Sequence, residues 1–244
     1  MGVLARGRVS LGSFAAEWLF TDRRDGRSST PYDSMNTGAS VGDDAVAVAD
    51  NRRIVAGYLG ADDIALARQV HGRDVVHLRA VPDQVPEADA VITDMPGLLI
   101  GTQVADCVPI LVADLAGGRV AAIHAGWRGV VAGVVPAALD RLSPVGAVQA
   151  WVGPAICGDC YEVSAQVREE VAESAPMAAA VTRQGTPAVD LRAGVVEQLR
   201  RYGIDGVLVG GCTFETPTLF SYRRDHVTGR QMGVIVLREI GDAP

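Results

Sequence analysis

The sequence predicts a mixed α+β fold, and three observations carry that expectation. Short apolar, β-branched runs are numerous, helical patterns number only three or four, and strand often follows strand directly. A doubly wound sheet would alternate strand with helix, and no Gly-x-Gly-x-x-Gly follows a strand to mark a nicotinamide site. At 244 residues, 48 % hydrophobic and 21 % charged, the chain can bury a full core. No internal repeat, low-complexity tract or linker interrupts it.

Val3 to Phe20 gives one or two strands, and Thr21 to Pro31, polar and rich in turn formers, is a loop. Asn36 lies on a polar, Gly-containing stretch, where a turn cap is the plain reading. Asp43-Asp44 caps a helix whose apolar positions run from Ala45 to Val55, ending near Gly57 or Gly60. Arg52 and Arg53 fall in its latter half, where the helix dipole favours a solvated basic face. Ile64 to Gly72 reads as a buried strand delivering His71 to a turn. Asp74 to Leu78 reads as its returning strand, with His77 exposed. Ala88 to Thr93 and Leu98 to Val104 are further strands. Val130 to Leu142 has helical spacing weakened by Gly133 and Pro136, and Ala147 to Val152 is a strand. Helices follow over Ser164 to Ser174 and Asp190 to Tyr202, with strands at Val207 to Val209 and Met232 to Leu237.

The most informative stretch runs from Ala105-Asp106-Cys107 to His124-Ala125-Gly126-Trp127-Arg128-Gly129. Two apolar runs, Cys107 to Asp114 and Val120 to His124, are joined by Leu115-Ala116-Gly117-Gly118, the pattern of a β-hairpin. Centring the turn between Ala116 and Gly117 sets His124 opposite Pro109, two residues from Cys107 and on the same face. A thiolate and an imidazole converging at one strand end suit either a metal site or a nucleophile–base pair. Cys157-Gly158-Asp159-Cys160 has knuckle spacing but no second ligand pair in sequence, and reads as incidental or structural. Phe220 to Asp225 carries Arg223 and Arg224 among aromatics, fit to clamp an anion or to pair with acids.

All 22 basic residues are Arg; the absence of Lys excludes a Schiff-base lysine, a pyridoxal phosphate site and a Walker A loop. A net charge of −7 without a basic stripe argues against nucleic acid as partner. No apolar stretch approaches the roughly 20 residues that span a bilayer, and no signal core opens the chain. Four cysteines without a secretory leader read as thiols, and the cytoplasm is the expected compartment.

Gln69-Val70-His71-Gly72, Ala105-Asp106-Cys107-Val108-Pro109, His124 to Gly129, Gly153-Pro154-Ala155-Ile156, Tyr161-Glu162-Val163 and Phe220 to Arg224 together resemble the YfiH/PgeF family. That family is also labelled the polyphenol-oxidase or laccase-domain family and includes mammalian laccase-domain purine enzymes. The resemblance runs from about Phe20 to the C-terminus. It implies a single domain over residues 1–244, an α+β fold of packed mixed β-sheets flanked by helices. It also implies a catalytic zinc site made by His71, Cys107 and His124. Asn36 and Arg52 match positions that face substrate or phosphate, and Arg223 is a further phosphate partner. Ser40 stands where members often carry His, and Asp25 where they carry the first Gly of a loop.

Two His and one Cys leave one position open on a tetrahedral zinc, a catalytic arrangement. The activities the resemblance implies are phosphorolysis of purine nucleosides such as inosine, and deamination of adenosine. Three alternatives stand beside them: an amidase that edits peptidoglycan precursors, a copper-dependent polyphenol oxidase, and a metal-stabilised binding module without activity. Copper chemistry of the multicopper kind needs many imidazoles, and this chain has four.

Overall fold

A computed structural model describes residues 2–240. The opening runs form β1 (Val3–Leu11) and β2 (Phe14–Thr21), an antiparallel hairpin. α1 (Ala45–Tyr58) starts at Asp44, whose side chain accepts from the Val46 and Ala47 N–H groups. β3 (Val75–His77), β4 (Ala90–Thr93), β5 (Leu99–Val104), β6 (Val108–Asp114) and β7 (Arg119–Ala125) follow. The expected helix after the hairpin is two, α2 (Trp127–Ala132) and α3 (Val134–Leu142), because Gly133 turns left-handed at φ 81° and ends the first. β8 (Val148–Val152) leads to α4 (Ala165–Ser174), capped by Ser164, and to a small hairpin, β9 (Ala179–Val181) with β10 (Pro187–Val189). α5 (Leu191–Arg200), β11 (Gly206–Leu208), α6 (Tyr222–Asp225) and β12 (Gln231–Glu239) complete the chain. Among the described residues the three or four helices of the sequence pattern are therefore six α-helices, through the break at Gly133 and the single turn of α6.

Two sheets carry the architecture. One has four antiparallel strands in the order β1-β2-β12-β5, and the other has six mixed strands in the order β11-β8-β6-β7-β4-β3. Trp18, Phe20, Leu111, Trp151 and Ile235 pack between them. α1 covers the outer face of the smaller sheet through Val55, Ala56 and Leu59. α2 to α5 cover the outer face of the larger one through Val130, Leu139, Val171 and Val195. This is the mixed α+β arrangement of packed sheets flanked by helices. It explains why β6 is buried along its whole length: both of its faces are covered, so it reads as a continuous apolar run. Each such Ile, Leu or Val contributes roughly 1.5–3 kcal/mol by leaving water. No helix among the described residues is long and apolar enough to cross a membrane.

The central hairpin forms in the expected register, with Pro109 opposite His124. Three expectations around it change. Residues 64–72 are not a strand; their backbone forms isolated bridges instead of a ladder, Ala65 with Ile100 and Arg68 with Glu87. Side chains replace the missing ladder there. Gln69 donates to the Gln103 carbonyl at 2.7 Å and accepts from its N–H at 2.8 Å. β3 accordingly pairs with β4, in parallel, and not with the segment before it. His77 is half-buried rather than exposed, with Nε2 2.9 Å from Asp94. β5 and β6, adjacent in sequence, belong to different sheets. The chain crosses between them at Ala105-Asp106-Cys107, with Asp106 at φ 90°.

Candidate metal and active site

That crossing puts Cys107 at the mouth of the hairpin, beside the end of β7 that carries His124. The third group comes from the irregular segment, where His71 sits left-handed at φ 59°. The ligand atoms of His71, Cys107 and His124 all lie within 4.8 Å of one another. Cys107 Sγ is 3.9 Å from His71 Nε2, and the two imidazoles meet edge to face with centroids 4.8 Å apart. His71 is exposed, Cys107 half-buried and His124 buried, so the cluster opens to solvent on one side.

Asp89, just before β4, organises both histidines, and sequence reasoning missed it. Its buried carboxylate accepts from the N–H groups of Val70 (3.2 Å), His71 (2.9 Å) and Gly72 (2.7 Å). It also holds His124 Nδ1 at 2.7 Å, which leaves Nε2 as that ring's free nitrogen. Gly126 closes the floor: a Cβ there would stand 2.8 Å from the His71 ring and 3.1 Å from Cys107 Sγ. Asp106 locks the sheet crossing, accepting from the Thr213 hydroxyl at 2.6 Å and the Arg223 N–H at 2.7 Å. A carboxylate at the head of an apolar strand, as in Ala88-Asp89-Ala90, was the one signal available for Asp89.

Two soft-to-borderline nitrogen donors and one thiol, preorganised by an acid on the far nitrogen of one ring, fit a zinc-type ion. Electrostatics agree. Burial pushes the Cys107 thiol up, but the His124 charge and hydrogen bonds from both imidazoles outweigh it and bring the thiol down to about 6. Burial disfavours a charged His124, yet the Cys107 charge and the Asp89 hydrogen bond raise it to about 9. In metal-free protein the pair is thus thiolate and imidazolium at neutral pH. Alkylation of Cys107 by iodoacetamide, followed by peptide mapping, is therefore expected to rise with a midpoint near pH 6. Cys157 and Cys160, whose thiols burial pushes up, are expected to lag. A midpoint for Cys107 near the ordinary thiol value of about 8.5 would contradict this.

The surrounding cations are partly those expected. The Arg223 guanidinium lies 4.9 Å from the Tyr161 ring and donates to the Glu162 carbonyl at 2.8 Å. Burial, then the Cys107 charge, pushes the Tyr161 hydroxyl up to about 12, so it stays protonated. Arg230, not anticipated, is close enough for its charge to interact with Cys107 and Asp106. Asn36 is buried and braces its own loop: its amide donates to Asp43 at 2.8 Å and its oxygen accepts from the Gly38 and Arg230 N–H groups. Arg52 donates from Nε to the Thr37 carbonyl at 2.8 Å, and no hydrogen bond or ion pair among the described residues joins it to the three-residue cluster. Asp25, standing where the family loop has Gly, adopts the left-handed backbone a Gly favours, at φ 62°.

A family model described as multi-copper polyphenol oxidoreductase laccase matches residues 17–238. A purine nucleoside phosphorylase of Streptomyces coelicolor is 47 % identical over 231 residues, 91 % of this chain and 96 % of its own. The purine nucleoside phosphorylase YfiH of Escherichia coli is 39 % identical over 88 % of this chain and 91 % of its own. A crystal structure of a Neisseria meningitidis protein superposes with a TM-score of 0.85 at 33 % identity, covering 98 % of this chain and all of that one. Matching sequence and fold lead to one conclusion: the chain belongs to the YfiH family, whose model carries the laccase description.

Proposed function

We propose that this chain is a zinc-dependent purine nucleoside enzyme that cleaves inosine and adenosine with phosphate and also deaminates adenosine. The observation that carries the reading is the convergence of His71, Cys107 and His124, with Asp89 holding both histidines. Relatives named purine nucleoside phosphorylase support the substrate class. His71, Cys107 and His124 would hold the zinc, which when bound supplies Lewis-acid activation at an open fourth position. In phosphorolysis a phosphate oxygen bonds to ribose C1′ as the bond from C1′ to the purine nitrogen breaks and the purine leaves with the electron pair. In deamination water adds at C6 and ammonia departs. Asp89 keeps His124 in one tautomer and one orientation, and Tyr161 offers a protonated hydroxyl as donor beside the cluster.

Phosphate needs fixed cations, and with no Lys in the chain Arg must supply them. Arg223 and Arg230 border the cluster. Arg52 is a half-buried guanidinium whose charge burial disfavours and nearby Asp63 favours, and its hydrogen bond to Thr37 uses Nε rather than the terminal nitrogens. Arg52→Ala is expected to weaken inosine phosphorolysis by about 2–4 kcal/mol of transition-state stabilisation, with zinc content unchanged. Adenosine deamination, which uses no phosphate, should suffer less. Undiminished phosphorolysis would move the phosphate role to Arg223 and Arg230. The reading as a whole is tested by product analysis with inosine plus phosphate against a muramyl-peptide precursor. Peptide-bond cleavage without nucleoside turnover would replace it with the amidase. Copper-dependent oxidation fits poorly: only two imidazoles join the cluster, while His77 is engaged by Asp94 and His226 stands beside Tyr222.

A further inference from the structure

Away from the His–Cys–His cluster, two turns of the same form face each other. One is Cys157-Gly158-Asp159-Cys160, the other Cys212-Thr213-Phe214-Glu215. Each places a second ligand-type residue three positions after a cysteine. Each also closes on its first carbonyl from four residues on: Tyr161 N–H to Cys157 at 2.9 Å, Thr216 N–H to Cys212 at 3.0 Å. The turns are stitched together by the Thr213 N–H to the Ala155 carbonyl at 3.1 Å and by the Cys157 N–H to Cys212 Sγ at 3.3 Å. An amide aimed at sulfur in this way stabilises a thiolate. The second ligand pair that the Cys157–Cys160 spacing lacks in sequence is thus supplied by the fold, 55 residues further on.

We propose that Cys157, Cys160, Cys212 and Glu215 form a second metal site, a closed structural zinc centre of three thiolates and one carboxylate. Their ligand atoms lie within 4.8 Å of one another. Tetrahedral zinc with bonds of about 2.3 Å sets its sulfurs roughly 3.8 Å apart, so side-chain rotations that close the cluster by about 1 Å suffice. Four anionic ligands leave a divalent ion over-neutralised, and two guanidiniums flank the site to offset it. Arg183 pairs with Glu215 and lies 3.4 Å from Asp159. Arg192, held by the carbonyls of Val152, Val209 and Gly210, is close enough for its charge to interact with Cys157 and Cys212. All three cysteines are free thiols, and a disulfide between any two would strand the third. Closed, thiolate-rich coordination is structural rather than catalytic. It would clamp the loops that hold Asp106, through Thr213 and through the Ile156 N–H, next to Cys107. The inference does not rest on the nucleoside reading.

Metal analysis of the full chain, purified reduced and dialysed against a weak chelator, tests it. Wild type is expected to carry about two zinc per chain, and both Cys107→Ala and the double variant Cys157→Ser/Cys160→Ser about one each. An unchanged ratio in the double variant, or no tightly held zinc in Cys107→Ala, would overturn the proposal. Should the double variant fail to fold, cobalt added to Cys107→Ala gives an independent answer. Strong thiolate-to-cobalt charge transfer, with zinc protecting Cys157, Cys160 and Cys212 together from alkylation, supports the site. Absence of that band, equal alkylation with and without zinc, or a disulfide among the three in air-equilibrated wild type refutes it.

Discussion

Cys107→Ala and His124→Ala are each expected to lose the zinc of the His–Cys–His site and, with it, both phosphorolysis and deamination. Three protein ligands are the minimum for a catalytic zinc that keeps one position open, so no ligand is spare. Loss of a direct ligand should exceed the roughly 10–100-fold that removal of an outer partner costs in affinity or activity. The fold should survive in Cys107→Ala, because Cys107 lies outside the apolar clusters on either face of the larger sheet, whereas His124→Ala also removes the buried partner of Asp89 and should lower stability. His71→Gly is the most informative companion. It removes a ligand while suiting the left-handed φ of 59° at that position, so zinc should fall without a cost in thermal stability. Turnover of inosine that persists at the wild-type rate in Cys107→Ala, with zinc lowered by one per chain, would separate the metal from the chemistry.

How much of this was legible beforehand divides along the range of the interactions. The hairpin register was readable because both strands are apolar throughout and the Gly pair fixes one turn, which sets His124 against Pro109. The caps at Asp44 and Ser164 were readable because each bonds within three residues of itself. Residues 64–72 carry the local pattern of a buried strand, but Asp89 takes that segment's N–H groups from 17–19 residues away, and the Gln69 side chain, 34 residues before Gln103, bonds the Gln103 backbone in place of a ladder. The sheet crossing at Asp106 left no trace, since Leu99–Val104 and Val108–Asp114 both read as strands and nothing between them marks a change of sheet.

The same division runs through the candidate site. Cys107 and His124 followed from the hairpin, whereas His71 entered only through resemblance, because an irregular segment gives no register to place it. Arg230 went unnoticed for a related reason. It precedes β12 by one residue and reaches the cluster only because β12 pairs with β5, at whose end the chain crosses toward Cys107. The second thiol cluster depends on a bridge between Ala155 and Cys212 that no local pattern announces.

Asp89→Ala should be the most damaging single change outside the metal ligands. The side chain is fully buried and accepts four hydrogen bonds, three from consecutive backbone N–H groups and one from His124. Truncation strands all four donors, and breaking a buried charged network of this kind costs roughly 3–5 kcal/mol. For a chain of this length that corresponds to a fall in Tm of roughly 6–20 °C. Zinc affinity at the His–Cys–His site should drop about 10–100-fold, because His124 loses its orienting partner and His71 its backbone anchor. Asp89→Asn separates the two effects. It keeps an acceptor and the volume, so stability should recover in part, but it removes the charge and offers N–H groups to donors, so zinc affinity should stay low. The pH dependence follows from the carboxylate. Burial alone would raise its pKa, but the His124 hydrogen bond and the backbone donors hold it below the usual range. Its contribution is therefore complete above about pH 4, the unfolded value, and is lost as pH falls through the lower folded value. Wild type and Asp89→Asn should accordingly converge in stability in acid and diverge above it. Parallel stability curves across that range would show that the charge of Asp89 is not what holds the site together.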